Sequence, residues 1–311
     1  MSADSYIYEG GVWKKVSDAY TYKSSTWNKV STIYYWNGSA WVESFTKGFV
    51  FSKTLSGTTT NFNVATEATA QGWNGVDSVI ANITLATSAI VRSSSINSYA
   101  FDTVGLVANS TVNLTVGAAA YIVGLGGTGA MGSFSVVIPY PQTGYSNGAP
   151  GGPAMNILST INMSLTNNGT IGGGGGGGGG GNGGDDWFQN AGYQGGPGGG
   201  GAGFGIGGPA TSNANQSHMA SDPGGNGSHN LSGAGKQSLL KSGEYNNGST
   251  GGTGGNGGLL GTVGNSGLNN GQGYIVTYQS GSPGGAAGVA INGWSVITVI
   301  TAGTISGAKN N

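Results

Sequence analysis

The chain has 311 residues, of which 67 are glycine, 8 proline and none cysteine; 7% are charged and the net charge is −1. Glycine without a strict Gly-X-Y period or abundant proline excludes collagen, and the missing cysteines exclude a disulfide framework and thiolate chemistry. The lack of basic excess excludes phosphate neutralisation on nucleic acid, and 36% hydrophobic residues at so low a net charge argue against ordinary disorder.

The first 45 residues repeat with a period of 14. Tyr6, Tyr20 and Tyr34 are in step, as are Tyr8, Tyr22 and Trp36, and again Trp13, Trp27 and Trp41. Each unit is a short aromatic run, a turn (Gly10-Gly11, Ser24-Ser25, Asn37-Gly38) and a second alternating run, which predicts a β-hairpin. One hairpin is marginal in water, so the repeats are expected to stack and bury their tryptophans against one another. A carbohydrate-binding platform and a docking surface for a larger assembly are the alternatives. The opening "MSADSYIYEGG" has no basic region followed by an apolar stretch, and no run approaches the ~18 apolar residues of a membrane span, so synthesis in the cytosol without an export signal is expected.

Residues 46–75 connect to the next region. Val64, Ala65, Ala68 and Gln71 have helical spacing that stops at Gly72, predicting one short helix. From Val76 the pattern turns to short strands rich in Val, Ile and Thr: "SVIANITLA", "AIVRSSS", "STVNLTV", "AYIVGLGG" and "SFSVVIPY". No charged residue lies between Asp102 and Asp185. Asn, Ser and Thr cover that stretch in part, and burial against other copies of the chain is expected to cover the rest.

One theme recurs in "TVNLTVGAAAYIVGLGG", "NMSLTNNGTIGGGGG" and "SVITVITAGTISGA": an apolar strand, a tight turn, a short strand and a glycine, with Ile122, Ile171 and Ile305 at equivalent places. "PGGPA" (Pro150 to Ala154) and "PGGAA" (Pro283 to Ala287) precede the second and third. The glycine-rich stretch is therefore an insertion between matched β units. It contains ten consecutive glycines from Gly172, and ordering glycine costs more backbone entropy than ordering any other residue. Extended polyglycine helices of three residues per turn, packed side by side without Cβ atoms, offset that cost by bonding to one another. A disordered linker and irregular β structure are the alternatives. Packed helices predict that "DDWFQNAGY", "ATSNANQSHMASD", "KQSLLKSGEYNN" and "LNNGQGYIVTYQS" form loops at the ends of a lattice.

Catalytic patterns are scarce. His218 and His229 lack metal-pair spacing and read as solvated loop residues; Asp185-Asp186 beside a turn reads the same way rather than as a hydrolase pair or calcium site. No phosphate-loop lysine motif occurs. The expectation is a non-enzymatic protein with no cofactor and no metal. Asp185, Asp186, Trp187, Phe188, Tyr193, His218, Met219, Tyr245, Tyr274 and Tyr278 fall in glycine-poor segments outside a lattice that cannot bury them, and such residues make good contacts.

The stretch from Asn167 to Gly178, the "GGAAGVAI" of Gly284 to Ile291 and the closing "GTISG" of Gly303 to Gly307 resemble the glycine-rich adhesins and receptor-binding tail-fibre proteins of tailed bacteriophages. The segment "NFNVATEATAQGWNGVDSVIANITLATSAIVRSSSINSYAFDT" is similar to the β region before such blocks, and the aromatic repeats resemble modules of phage tail proteins. The resemblance implies a mostly β chain with very little helix: aromatic hairpin repeats over 1–47 attaching to the virion through Trp13, Trp27 and Trp41, a β-rich domain with one short helix over 48–149, and a polyglycine II adhesin domain over 150–311. It implies a virion component at the tail tip or fibre whose loops, with the ten residues named above, touch an outer-membrane protein or surface polysaccharide of the bacterial host. Other tail or baseplate proteins and further copies of the chain, most plausibly as a trimer, are the implied partners. A purely structural tail component and an ice-binding glycine-rich protein are the alternative readings.

Overall fold

The computed structural model describes residues 6–9, 11–15, 19–30, 32–36, 38–46, 48–132, 146–182, 184–186, 191–193, 195–210, 219–220, 222–237, 239–240, 251–269 and 281–311. The chain is mostly β with one short α-helix, as its composition and alternation predict.

Three antiparallel hairpins come first: β1 (Tyr6–Glu9) with β2 (Val12–Lys15), β3 (Ala19–Lys23) with β4 (Thr26–Val30), and β5 (Thr32–Trp36) with β6 (Trp41–Thr46). The 14-residue period places Tyr8 opposite Trp13, Tyr22 opposite Trp27 and Trp36 opposite Trp41. Each hairpin is a separate two-stranded sheet, and Trp27 is 67% exposed rather than buried against the other repeats. A two-stranded ribbon has no second layer, so Trp27 packs only across its own turn, 5.1 Å from the Tyr22 ring.

A triangular parallel β-helix follows. Its first turn is β7 (Phe49–Leu55), β8 (Thr58–Thr60) and β9 (Phe62–Asn63), closed by α1 (Val64–Ala70). The second is β10 (Val79–Leu85), β11 (Ile90–Arg92) and β12 (Phe101–Asp102), and the third is β13 (Thr111–Val116), β14 (Tyr121–Val123) and β15 (Met155–Asn156). The fourth begins with β16 (Asn162–Asn167) and β17 (Thr170–Gly172). Four short strands then lie among the glycine segments: β18 (Gly184–Asp186), β19 (Ala191–Tyr193), β20 (Met219–Ala220) and β21 (Leu239–Leu240). The fourth turn ends with β22 (Ile291–Asn292), and β23 (Ile297–Thr301), β24 (Thr304–Ser306) and β25 (Lys309–Asn310) make the fifth. Each turn gives one strand to each of three five-stranded parallel sheets.

The register explains the sequence theme. Ile122 lies level with Ile171, and Ile171 with Ile305, on the second sheet. On the first sheet Ile83, Leu114 and Leu165 stack in one inward file, each almost wholly buried, contributing about 1.5–3 kcal/mol apiece. Lys53 heads that file, and its ammonium meets Glu67 of α1 at 2.8 Å, holding the Glu67 carboxyl below its ordinary range. The predicted helix is present, with the Asn63 side chain accepting from the Thr66 amide at 2.8 Å as its N-cap. At the other end of the file Val299 lies level with Leu165 and is 36% exposed, as β23 is the edge strand of the sheet among the described residues.

The outer face of the third sheet carries a polar ladder. Asn63, Asp102, Asn156, Asn292 and Asn310 are paired rung to rung. Asn156 Nδ2 donates to Asp102 Oδ1 at 3.0 Å, and Asn292 Nδ2 donates to Asn156 Oδ1 at 2.9 Å. The carboxamides thereby bond along the helix axis rather than to water.

Two insertions leave this β-helix at one corner, between the second and third sheets: residues 124–154 in the third turn and 173–290 in the fourth. The division at residue 149/150 falls inside one of the inserted glycine segments. The predicted strand at 133–140 lies outside the described residues.

Candidate functional site

The site rests on a platform of glycine backbone. Within 172–181 the bonding partner rotates with a period of three residues. Gly174 and Gly177 donate to Gly152 and Ala149, Gly175 and Gly178 to Ala202 and Gly199, and Gly176 and Gly179 to Thr262 and Asn265, all at 2.7–3.0 Å. The carbonyls rotate in the same way: Gly175 and Gly178 accept from Gly127 and Ala130, Gly176 and Gly179 from Gly258 and Gly255, and Gly174 and Gly177 from Gly288 and Gly285. Six segments therefore surround the ten-glycine run. Segment 195–202 is surrounded in turn by 124–130, 172–181, 205–208, 224–227, 233–236 and 252–258.

These pairings fit one hexagonal arrangement of three layers. The outer layers are 149–152, 124–130, 205–208 and 262–268, 252–258, 233–236; between them lie 282–288, 172–181, 195–202 and 224–227. Only residues 172–181 and 195–202 are interior. A Cβ added to Gly174, Gly177 or Gly180 would run into the carbonyl oxygen of Leu125, Thr128 or Met131, and one on Gly198 or Gly201 into that of Gly178 or Gly175. No side chain can be accommodated at those five glycines, although Pro197 and Ala202 occupy other places in segment 195–202. The stretch without charge beyond Asp102 is thus covered largely by the chain itself, in β-helix interior and glycine layers.

Segment directions place the loops. Residues 124–132, 172–182, 205–210, 231–237 and 262–269 run away from the β-helix, and each is followed by a segment that bonds antiparallel to it or to its neighbour on the way back. The near-end connections are short turns at 203–205, 228–231 and 259–262. The stretches 133–145, 183–194, 211–221, 238–250 and 270–280 therefore all have their ends at the far end.

Three of these stretches contain described strands. β18 and β19 form a hairpin with Asp185 opposite Gly192 and Gly184 opposite Tyr193, while β20 and β21 join two stretches with Met219 opposite Leu240. Asp185, Asp186, Tyr193 and Met219 are thus placed on far-end strands. Trp187, Phe188, His218, Tyr245, Tyr274 and Tyr278 lie outside the described residues. The hairpin of Gly184 to Tyr193 stands on the two interior segments, so its feet are ringed by those of the other four stretches.

A near-end cluster escaped the sequence reading. His229, expected as a solvated loop residue, packs edge-on against Tyr121 of β14 at 4.5 Å. Arg92 of β11 lies over the Phe204 ring at 4.8 Å, and Phe204 itself sits in a turn at φ 67°. These contacts clamp the near-end turns onto the second sheet; the residues are too far apart in sequence for any local pattern to reveal them. Among the described residues no group of three or more His, Cys, Asp or Glu could hold a metal, and no helix is long and apolar enough to cross a membrane.

The model of the phage tail fibre adhesin Gp38 family matches residues 50–310. One solved structure, the gp37-gp38 adhesin tip complex of the bacteriophage S16 long tail fibre, covers 85% of this chain and 83% of that chain at 20% identity and a TM-score of 0.44. No curated protein matches. The chain belongs to the phage tail fibre adhesin family.

Proposed function

We propose that this member of the tail fibre adhesin family recognises a receptor on the bacterial surface, an outer-membrane protein or a polysaccharide, through the far-end stretches, with the hairpin of Gly184 to Tyr193 at the centre. The single observation carrying the reading is that the described residues flanking all five glycine-poor stretches lie at one end of a platform packed chiefly through bare backbone. Binding energy concentrates near the centre of an interface, and the central position belongs to "DDWFQNAGY". Asp185, Asp186, Trp187, Phe188 and Tyr193 are the core contacts in this reading, and His218, Met219, Tyr245, Tyr274 and Tyr278 the surrounding ones.

Purified chain is expected to bind host cells and to lose binding when the receptor protein or polysaccharide is removed. Trp187→Ala is expected to weaken binding by about 2 kcal/mol or more, roughly thirtyfold, with an unchanged melting temperature. Exchanging residues 183–194 between adhesins should redirect host range; unaltered host range would sink the reading in favour of a purely structural tail component.

The glycine segments are read as polyglycine II helices, which the three-residue rotation of partners supports. Slow hydrogen exchange at Gly173 to Gly181 is expected, and fast exchange would restore the linker. For attachment to other tail or baseplate proteins, the exposed Tyr20, Tyr22, Trp27 and Trp36 favour the hairpin repeats, with Trp13, Trp27 and Trp41 as the proposed contacts, so deleting residues 1–47 should abolish incorporation into virions while leaving cell binding intact. A trimer of this chain is the proposed assembly, to be checked by light scattering.

A further inference from the structure

We propose that a groove at the seam between the β-helix and the glycine platform binds one neutral pyranose sugar. The groove has a volume of about 270 Å³, at the lower end for ligand sites and suited to a single ring. Tyr99, Pro153 and Val289 line it where successive turns enter the third sheet; Asn292 and Asn310 line it from the outer face of that sheet. Gly151 and Gly288 complete the floor, and both spend their amide hydrogens inside the platform, on Ala286 and Gly174.

The polar groups point to the ligand class. Asn156 and Asn292 each donate through Nδ2 to the rung before, and Asn292 Oδ1 accepts from no described residue. Among the described residues, Asn292 Oδ1, the Tyr99 hydroxyl and the Asn310 carboxamide have no hydrogen-bond partner, and all three residues line the groove. Together they offer acceptors and donors beside an aromatic ring and a proline, and no charged side chain lines the groove. A pyranose matches this set: its axial C–H face packs on an aromatic ring while its hydroxyls both donate and accept. Acidic sugars and peptides with charged side chains find no counter-charge here. The groove lies at the near end of the platform, and the proposal stands independently of the far-end receptor reading.

Saturation-transfer NMR on the full chain with methyl glucopyranoside and methyl galactopyranoside tests it. Transfer to at least one glycoside is expected, falling to background in Tyr99→Ala and weakening in Asn310→Ala, while Trp187→Ala retains it. Asn310 is exposed, so its variant keeps the test decisive should Tyr99→Ala fail to fold. Absence of transfer to the unmodified chain, or transfer that survives both groove substitutions, overturns the proposal. Loss of transfer in Trp187→Ala alone would relocate sugar binding to the far end.

Discussion

In the β-helix, Leu114 and Leu165 lie level on adjacent strands with their side chains filling the interior; in the glycine platform, Gly177 occupies an equally buried place where the neighbouring Thr128 carbonyl leaves no room for a methyl group. The first region is held by apolar side chains meeting one another, with backbone bonds running between strands. In the second the bonds run outward in several directions from each segment, and backbone is the only packing material. Side-chain removal should therefore damage one region, and side-chain addition the other. The difference supports the proposed recognition site at the platform's far end, because a scaffold packed chiefly through backbone leaves the connecting stretches free to vary.

The sharpest way to break the comparison is truncation in the β-helix. Leu165→Ala is expected to cost about 2–5 kcal/mol, read from chemical denaturation, since a buried file cannot collapse around the cavity. Next comes Gly177→Ala, expected to cost about 1–3 kcal/mol because backbone rather than a flexible side chain must give way. A neutral result there would show that the platform is not packed through bare backbone. Asn156→Leu removes both ladder bonds of one rung and leaves Asp102 and Asn292 without that partner, for an expected loss of about 1–3 kcal/mol.

The smallest effect is expected at the Lys53–Glu67 pair over the first turn. Glu67→Gln should cost about 0.5 kcal/mol, the scale of a pair in which Lys53 is partly solvated. Glu67 is held below its ordinary range chiefly by its hydrogen bond to Lys53. The stability it contributes is therefore present above the unfolded carboxylate range and lost as pH falls through the lowered folded value. The unfolding midpoints of the wild type and the Gln variant should differ above that acidic window and converge as pH falls through it.

Local patterns revealed much of this. The 14-residue period disclosed the three hairpins because a turn and its flanking aromatics are neighbours in sequence, and the spacing of Val64, Ala65 and Ala68 disclosed α1. The likeness of Ile122, Ile171 and Ile305 disclosed that three segments share a role. The third sheet was hidden, since strands such as Phe101–Asp102 and Met155–Asn156 are two residues long and are defined by partners on other turns. For the same reason the Asn ladder, the Arg92–Phe204 clamp and the open end at Val299 had no sequence signal.

What the sequence determined by itself was which segments must be packed without side chains and which must not, because a missing Cβ is a local property that no fold can restore. Which segments stand inside the platform, and hence that the hairpin of Gly184 to Tyr193 is central, was decided only by the tertiary structure. Ten similar glycine segments carry little to distinguish their neighbours. Their order is set by where one corner of the β-helix releases the chain in two successive turns and where it takes the chain back.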